Sequence, residues 1–186
     1  MKKLSDSIGF TLLLLVAVAT AAAAGKNKNK EIHRLQKKLG IETISDRPPD
    51  FQLISFAGDS ISLQKYRGKF LIIHFWATWC KPCRKEMPEL IAFSRALSRK
   101  DVQILAFSID KTEKKDQAKQ MVEEWRLPFP AAMVTSGQIS DVYWTWGIPV
   151  TYFIDARGKM IGRILGSAKW KDPLMKVFIQ KILTKE

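Results

Sequence analysis

Cysteine is almost absent from this chain, with two residues, Cys80 and Cys83, in 186. A framework of several disulfides is therefore excluded. A closed zinc site is disfavoured, because such a site needs about four ligands and Cys80, Cys83, His33 and His74 are the whole supply of thiol and imidazole donors. Acidic residues are also few, 18 against 31 Lys+Arg, which leaves a formal net charge of +13. Long uncharged apolar runs are confined to one N-terminal stretch, so the chain is not a multi-span membrane protein. What is present is a globular composition, 46% hydrophobic and 26% charged, in a length that suits one domain plus a tail. The basic balance speaks about partners rather than fold, and nucleic acid, an anionic membrane surface and acidic proteins all satisfy it.

The N-terminus reads as an address. Lys2 and Lys3 precede the uncharged run Ile8 to Ala24, which ends in Ala22-x-Ala24, the pattern of an export signal cut after Ala24. Its 17 residues also reach the lower limit for a membrane-spanning helix, so a retained anchor is the second reading of 1–24. Lys26, Lys28 and Lys30 make the downstream flank the more basic one, which opposes export, but the run and its small-residue end outweigh that bias. Residues 25–47 read as a basic tether. Between Lys26 and Lys38 there are six Lys/Arg against Glu31, with Ile32, Leu35 and Leu39 spaced for two helical turns. A solvated linker is the plain reading, with His33 simply hydrated; a patch on anionic lipid headgroups through 26–38 is the functional one.

Pro48-Pro49 marks the start of the main domain, 48–186. Phe51 to Phe56 and Ser60 to Leu63, separated by Ala57-Gly58-Asp59, predict a hairpin. Phe70 to Trp76 (FLIIHFW) and Val102 to Ile109 are nearly continuous apolar runs, the pattern of parallel strands covered on both faces. Between them Met87, Leu90, Ile91 and Leu97 recur at three and four, predicting a helix over Lys81–Arg99. Thr112 to Trp125 predicts an amphipathic helix with Ala118, Met121, Val122 and Trp125 on one face. Then follow a strand at Ala131–Val134, a short helical piece near Ser140–Trp146, strands at Thr151–Ile154 and Met160–Leu165, and a helix at Pro173–Leu183. Strands alternating with helices and closing on a hairpin make an α/β architecture.

Cys80-Lys81-Pro82-Cys83 sits where the first core strand gives way to the helix. A thiolate at a helix N-terminus faces unpaired backbone N–H groups and the positive end of the dipole, both of which lower its pKa, and Lys81 adds a positive charge. Cys83, one turn further on, is within reach of a mixed disulfide at Cys80, and Pro82 loses no needed hydrogen bond at an early helical position. A structural bridge competes with the redox reading, but so short a loop gains little entropy from closure. Half a metal site lacks further ligands. A pair of free buried thiols would not be flanked by Lys81 and Arg84.

Trp76-Ala77-Thr78-Trp79-Cys80-Lys81-Pro82-Cys83 resembles the active-site segment of the thioredoxin superfamily, and more narrowly that of the exported TlpA/ResA-like thiol-disulfide oxidoreductases. Pro49-Asp50-Phe51, Gly68-Lys69, Pro88, Gly147-Ile148-Pro149-Val150-Thr151, Phe153-Ile154-Asp155 and Gly158-Lys159 agree with it over nearly all of 48–186. The resemblance implies a thioredoxin-like fold with an N-terminal β-hairpin extension and a central βα insertion over about Thr112 to Val134. It implies that Cys80 is the nucleophile and Cys83 the resolving thiol. It also implies that Pro149 is cis, with the Ile148 backbone pairing with substrate, and that Glu86 lies buried behind the disulfide, able to take the Cys83 proton. A solvated helix carboxylate is the alternative for Glu86. The chain departs from thioredoxin at the strand position six before the nucleophile, where His74 replaces a buried aspartate. There it is either a hydrogen-bonded core histidine or a proton shuttle. Of the tryptophans, Trp76 belongs to the core by its place on the strand, and Trp79 is the contact surface beside the nucleophile.

The expected activity is thiol-disulfide exchange on cysteine-containing exported proteins, with apocytochrome c as one substrate implied by the resemblance. It needs no cofactor beyond the Cys80–Cys83 couple and no metal, and it draws electrons from a transmembrane thiol donor. The expected location is the periplasm or the extracytoplasmic membrane face. Within the same chemistry the alternative is a disulfide-donating oxidase. A metal-delivery module would want a histidine after His74, and none follows. A thiol peroxidase would not carry Ala77 three before its cysteine, and nucleic-acid binding has no recognition motif beside the basic cluster.

Overall fold

The computed structural model describes residues 25–44, 46–97, 100–135, 143 and 147–184. The address at 1–24 and the helical piece expected near Ser140–Trp146, Tyr143 apart, lie outside the described residues, and Trp144 and Trp146 with them. In chain order the elements are helix α1 (25–39), strands β1 (Gln52–Ile54), β2 (Ser60–Ser62) and β3 (Phe70–Trp76), helix α2 (Lys81–Leu97), β4 (Val102–Ser108), helix α3 (Lys115–Trp125), β5 (Ala131–Met133), β6 (Val150–Ile154), β7 (Met160–Leu165) and helix α4 (Pro173–Leu183). Strands β5-β4-β3-β6-β7 form one sheet; β3, β4 and β5 run parallel, while β6 and β7 are antiparallel additions. β1 and β2 pair as a separate antiparallel hairpin. This is the expected thioredoxin-like α/β fold with its hairpin extension and its α3–β5 insertion.

All seven residues of β3 are buried, as the apolar run requires, and side-chain alternation divides them between two cores. Phe70, Ile72 and Trp76 pack with Met87 and Leu90 of α2 and with Met175 and Phe178 of α4. Leu71, Ile73 and Phe75 face the other core, with Leu53 and Ile61 of the hairpin and with Tyr143. The predicted apolar face of α3 is seen, with Ala118 buried and Met121, Val122 and Trp125 packed against the first core; Trp125 meets the Trp76 ring edge-on at 4.9 Å. The first turn predicted for this helix, Thr112–Lys114, is a 3-10 turn instead. Strands β1, β2 and β5 are each shorter than their apolar runs, because pairing ends before burial does.

The tether is corrected. Residues 25–39 are one continuous helix, and it is docked on the domain rather than solvated. Leu35, Leu39 and Ile41 are buried in the same core as α2 and α4, and the Gln36 side chain donates to the Ile161 carbonyl at 2.9 Å. Glu42 and Arg163 exchange backbone hydrogen bonds at 2.8 and 2.9 Å, and Lys28 reaches the Thr184 carbonyl at 2.7 Å. Glu31 pairs with Lys181. The apolar spacing of 32, 35 and 39 therefore marks a buried stripe, and the folded unit begins well before Pro48. Gly162 permits the approach, since a Cβ there would stand 2.5 Å from Ile41 Cγ2 and 2.8 Å from the Glu42 carbonyl oxygen.

Leu39→Ala should accordingly destabilise the protein by about 2–5 kcal/mol. Gly162→Ala should also be destabilising, because backbone rather than a flexible side chain must give way. Urea unfolding checks both, and losses under about 0.5 kcal/mol in each would return 25–42 to a free tether.

Candidate active site

Strand β3 delivers the chain to a tight turn, Cys80 N–H to Ala77 carbonyl at 3.1 Å, and α2 starts at the next residue. Cys80 and Cys83 are joined as a disulfide with their Cα atoms 5.3 Å apart. The Cys83 backbone N–H points at Cys80 Sγ, 3.2 Å away, so the helix terminus directs a donor at the sulfur that would carry charge when reduced. The first turn of α2 holds no acid, and Lys81, Arg84 and Lys85 are exposed around it. Cys83 is fully buried and Cys80 only 3% exposed, while neighbouring Trp79 is 65% exposed. Attack from outside is thus confined to the edge of Cys80, beside a flat apolar ring.

β6 runs antiparallel to β3, so its start lies beside the end of β3, with Val150 opposite Phe75. The residues just before it, Ile148 and Pro149, are joined by a cis peptide bond. The Ile148 carbonyl oxygen lies 3.8 Å from Cys80 Sγ. In the disulfide this is a contact, since the sulfur has no proton to donate.

Glu86 lies one helical turn beyond Cys83 and is 4% exposed, so the solvated-carboxylate reading does not hold. Its Oε1 accepts from the Ala168 backbone N–H at 3.0 Å and from the Trp170 indole. Its buried Oε2 meets no donor in hydrogen-bond geometry. Burial raises its pKa above the ordinary carboxylate value; hydrogen bonding from Ala168, Trp170 and the Ser167 hydroxyl opposes this in part, and Glu89 adds to it. A cleft of about 310 Å³ bounded by Lys81, Pro82, Lys85 and Ser167 opens beside it.

His74 shares the α2-facing side of β3 with Ile72 and Trp76 and is completely buried. Its Nδ1 is 3.0 Å from the Thr151 hydroxyl directly opposite on β6, and its Nε2 has no partner. Burial lowers its pKa to about 4, so the ring is neutral at physiological pH. This geometry supports the hydrogen-bonded core histidine over the shuttle. No group of three or more His, Cys, Asp or Glu residues able to hold a metal occurs among the described residues.

One buried residue escaped sequence reasoning. Asp110, 2% exposed, accepts from the Thr78 backbone N–H at 2.9 Å, the Thr78 hydroxyl at 2.7 Å and the Ser108 hydroxyl at 2.7 Å. It clamps the turn that leads into Cys80. A trace was present in the sequence: Thr78 stands two residues and Asp110 one residue past the ends of two adjacent apolar runs, where parallel strands would bring them together. Asp110→Ala would strand three donors, each costing about 1–3 kcal/mol if left buried and unmet. The expected result is a loss of several kcal/mol in urea unfolding and a slowed thiol-disulfide exchange rate, with Asp110→Asn milder in both.

Comparison with known proteins agrees with this geometry. Residues 44–162 match the AhpC/TSA family. The thiol-disulfide oxidoreductase ResA of Bacillus thuringiensis subsp. konkukian is 35% identical over 123 residues, covering 66% of this chain and 70% of that one. That of Bacillus cereus is 34% identical over 139 residues, covering 75% and 78%. Among solved structures, a thiol:disulfide interchange protein DsbE from Chlorobium tepidum superposes with a TM-score of 0.62 at 28% identity, covering 77% of this chain and 96% of the other. A thiol-disulfide oxidoreductase from Bacteroides vulgatus gives 0.60 at 30% identity, covering 72% and 86%. The chain belongs to the AhpC/TSA family and is a thioredoxin-like protein-disulfide oxidoreductase.

Proposed function

We propose that the Cys80–Cys83 couple reduces disulfides of exported proteins, apocytochrome c among them. The observation that carries this reading is a disulfide whose outer sulfur sits at the helix terminus beside an exposed Trp79, with its inner sulfur buried one turn from a raised-pKa carboxylate. In the reduced enzyme the Cys80 thiolate attacks a substrate disulfide, forming a mixed disulfide and releasing one substrate thiolate, which takes a proton from water. Cys83 passes its proton to Glu86 and attacks Cys80 Sγ. The second substrate thiolate leaves and the Cys80–Cys83 disulfide is restored. Two electrons have moved to the substrate, and a transmembrane thiol donor returns two for the next cycle. The Ile148 backbone before Pro149, next to Cys80 Sγ, pairs with an extended stretch of substrate, and Trp79 covers its apolar side. Residues 1–24 bring the domain to the extracytoplasmic side, cleaved or as an anchor. No metal or organic cofactor enters the cycle.

The reduced Cys83→Ala variant should accumulate mixed disulfides with substrate proteins through Cys80, separable on non-reducing gels. The couple should titrate roughly between the potentials of thioredoxin and disulfide isomerase, about −270 to −180 mV. A value near −120 mV would reverse the direction to disulfide donation, and the absence of any mixed disulfide would argue for a structural bridge.

Glu86→Gln tests the proton route. Resolution of a preformed mixed disulfide should slow by on the order of 10²-fold near neutral pH, and its rate should then follow thiol ionisation alone. A stability profile gives an independent readout. Because the folded-state pKa of Glu86 is raised, the native state holds a proton that the unfolded chain has released, so its contribution to stability is present below about pH 4.5 and is lost as pH rises through the folded value. Glu86→Gln should flatten that decline, and unchanged kinetics together with an unchanged profile would make Glu86 a bystander.

A further inference from the structure

Helix α1 is fixed to the domain by one face and presents another that nothing in the catalytic cycle uses. At about 100° per residue, Lys26, Lys30, Arg34, Lys37 and Lys38 fall within an arc of about 120°, and Lys26 and Lys37 are about 16 Å apart along the axis. All five are exposed, and none forms an ion pair or side-chain hydrogen bond among the described residues. The one acid of the helix, Glu31, lies at the margin and is taken up by Lys181. The opposite face, with Leu35, Gln36 and Leu39, is buried, so the stripe is rigidly oriented with respect to the sheet.

The placement is informative. α4 begins just after Trp170, which contacts Glu86 near the disulfide, and by Phe178 it has reached Phe153 and through it Phe70, at the opposite end of the sheet. Lys28 bonds to Thr184 at the close of α4, so the first turn of α1 lies at the pole away from Cys80. The uncharged run Ile8–Ala24 stops two residues before Lys26. Retained as an anchor, it would hold this end of the molecule at a bilayer.

We propose that the outward face of α1 is an electrostatic dock for anionic phospholipid headgroups, which sets the orientation of the catalytic domain on the membrane with the Cys80–Cys83 end held clear of it. The straight stripe matches a plane of negative charge, since cations near such a surface add attraction that decays within a Debye length. The proposal is independent of the direction of electron flow.

The test uses the full chain reconstituted in vesicles of phosphatidylcholine alone or with a third of the lipid replaced by phosphatidylglycerol. Lysines are labelled with an amine-reactive reagent and quantified by mass spectrometry. Lys26, Lys30, Lys37 and Lys38 should label several-fold more slowly on the anionic vesicles, and the difference should vanish near 1 M salt, where the Debye length falls to about 3 Å. Lys114 and Lys115, on the α3 side at the other edge of the sheet, should label equally on both. Equal labelling of the stripe on the two lipids would overturn the proposal. Protection in native membranes but on neither pure lipid would also overturn it, pointing to an acidic protein instead.

Discussion

The antiparallel pairing of β6 against β3 is the contact on which the site depends. β3 ends at the turn that carries Cys80, and only a neighbour running the opposite way can begin where β3 ends. The register His74 opposite Thr151 and Phe75 opposite Val150 puts the cis Ile148–Pro149 bond beside a cysteine 68 positions earlier in the chain. The parallel neighbour on the other side does complementary work. β4 ends level with β3, Trp76 opposite Ser108, so Asp110 can reach back and clamp Thr78. One strand thus receives the cis-proline loop on one flank and the carboxylate that holds its own turn on the other.

The site also separates two buried ionisable groups by chemistry. His74 and Glu86 are both buried, and desolvation favours the neutral form of each, which lowers the histidine and raises the acid. A histidine with a pKa of about 4 has no proton to give at neutral pH, and its Nδ1 is already engaged with Thr151. The Glu86 carboxyl is raised above the ordinary carboxylate value although Oε1 accepts from Ala168 and Trp170, because burial outweighs those hydrogen bonds. Burial thus keeps the histidine on the sheet neutral and favours the protonated form of the carboxyl on the helix. Burial is the largest cause of both shifts, and Glu89 adds to the rise at Glu86.

Much of this was legible in the residues. The strand runs were recognisable because burial on both faces leaves no polar alternation, and the active-site turn because its two cysteines stand at helical spacing directly after such a run. α1 was misread because its charges dominated the reading of 26–38, although Ile32, Leu35 and Leu39 already marked a face too apolar for a solvated linker. The partner that buries that face, β7 with α4, lies more than a hundred residues away and leaves no local trace except Gly162. Asp110 was missed for a related reason: its role comes from strand adjacency.

The region before the active-site strand has a further structural consequence. A five-stranded open sheet leaves two edges, each a row of backbone groups ready to pair with another chain. Here the N-terminal extension covers both. Glu42 bridges to Arg163 on β7, and the Asp46 carbonyl accepts from Met160 at the start of the same strand. Further along, Ser55 bridges to Ala132 on β5, with the Phe56 N–H donating to the Ala131 carbonyl. The segment crosses the hairpin face of the sheet from one edge to the other, carrying Phe51 and Leu53 into the second core on the way. A domain that handles partly unfolded, disulfide-bearing chains would be exposed to strand addition at any free edge. The same segment thus occupies part of each edge with its own backbone.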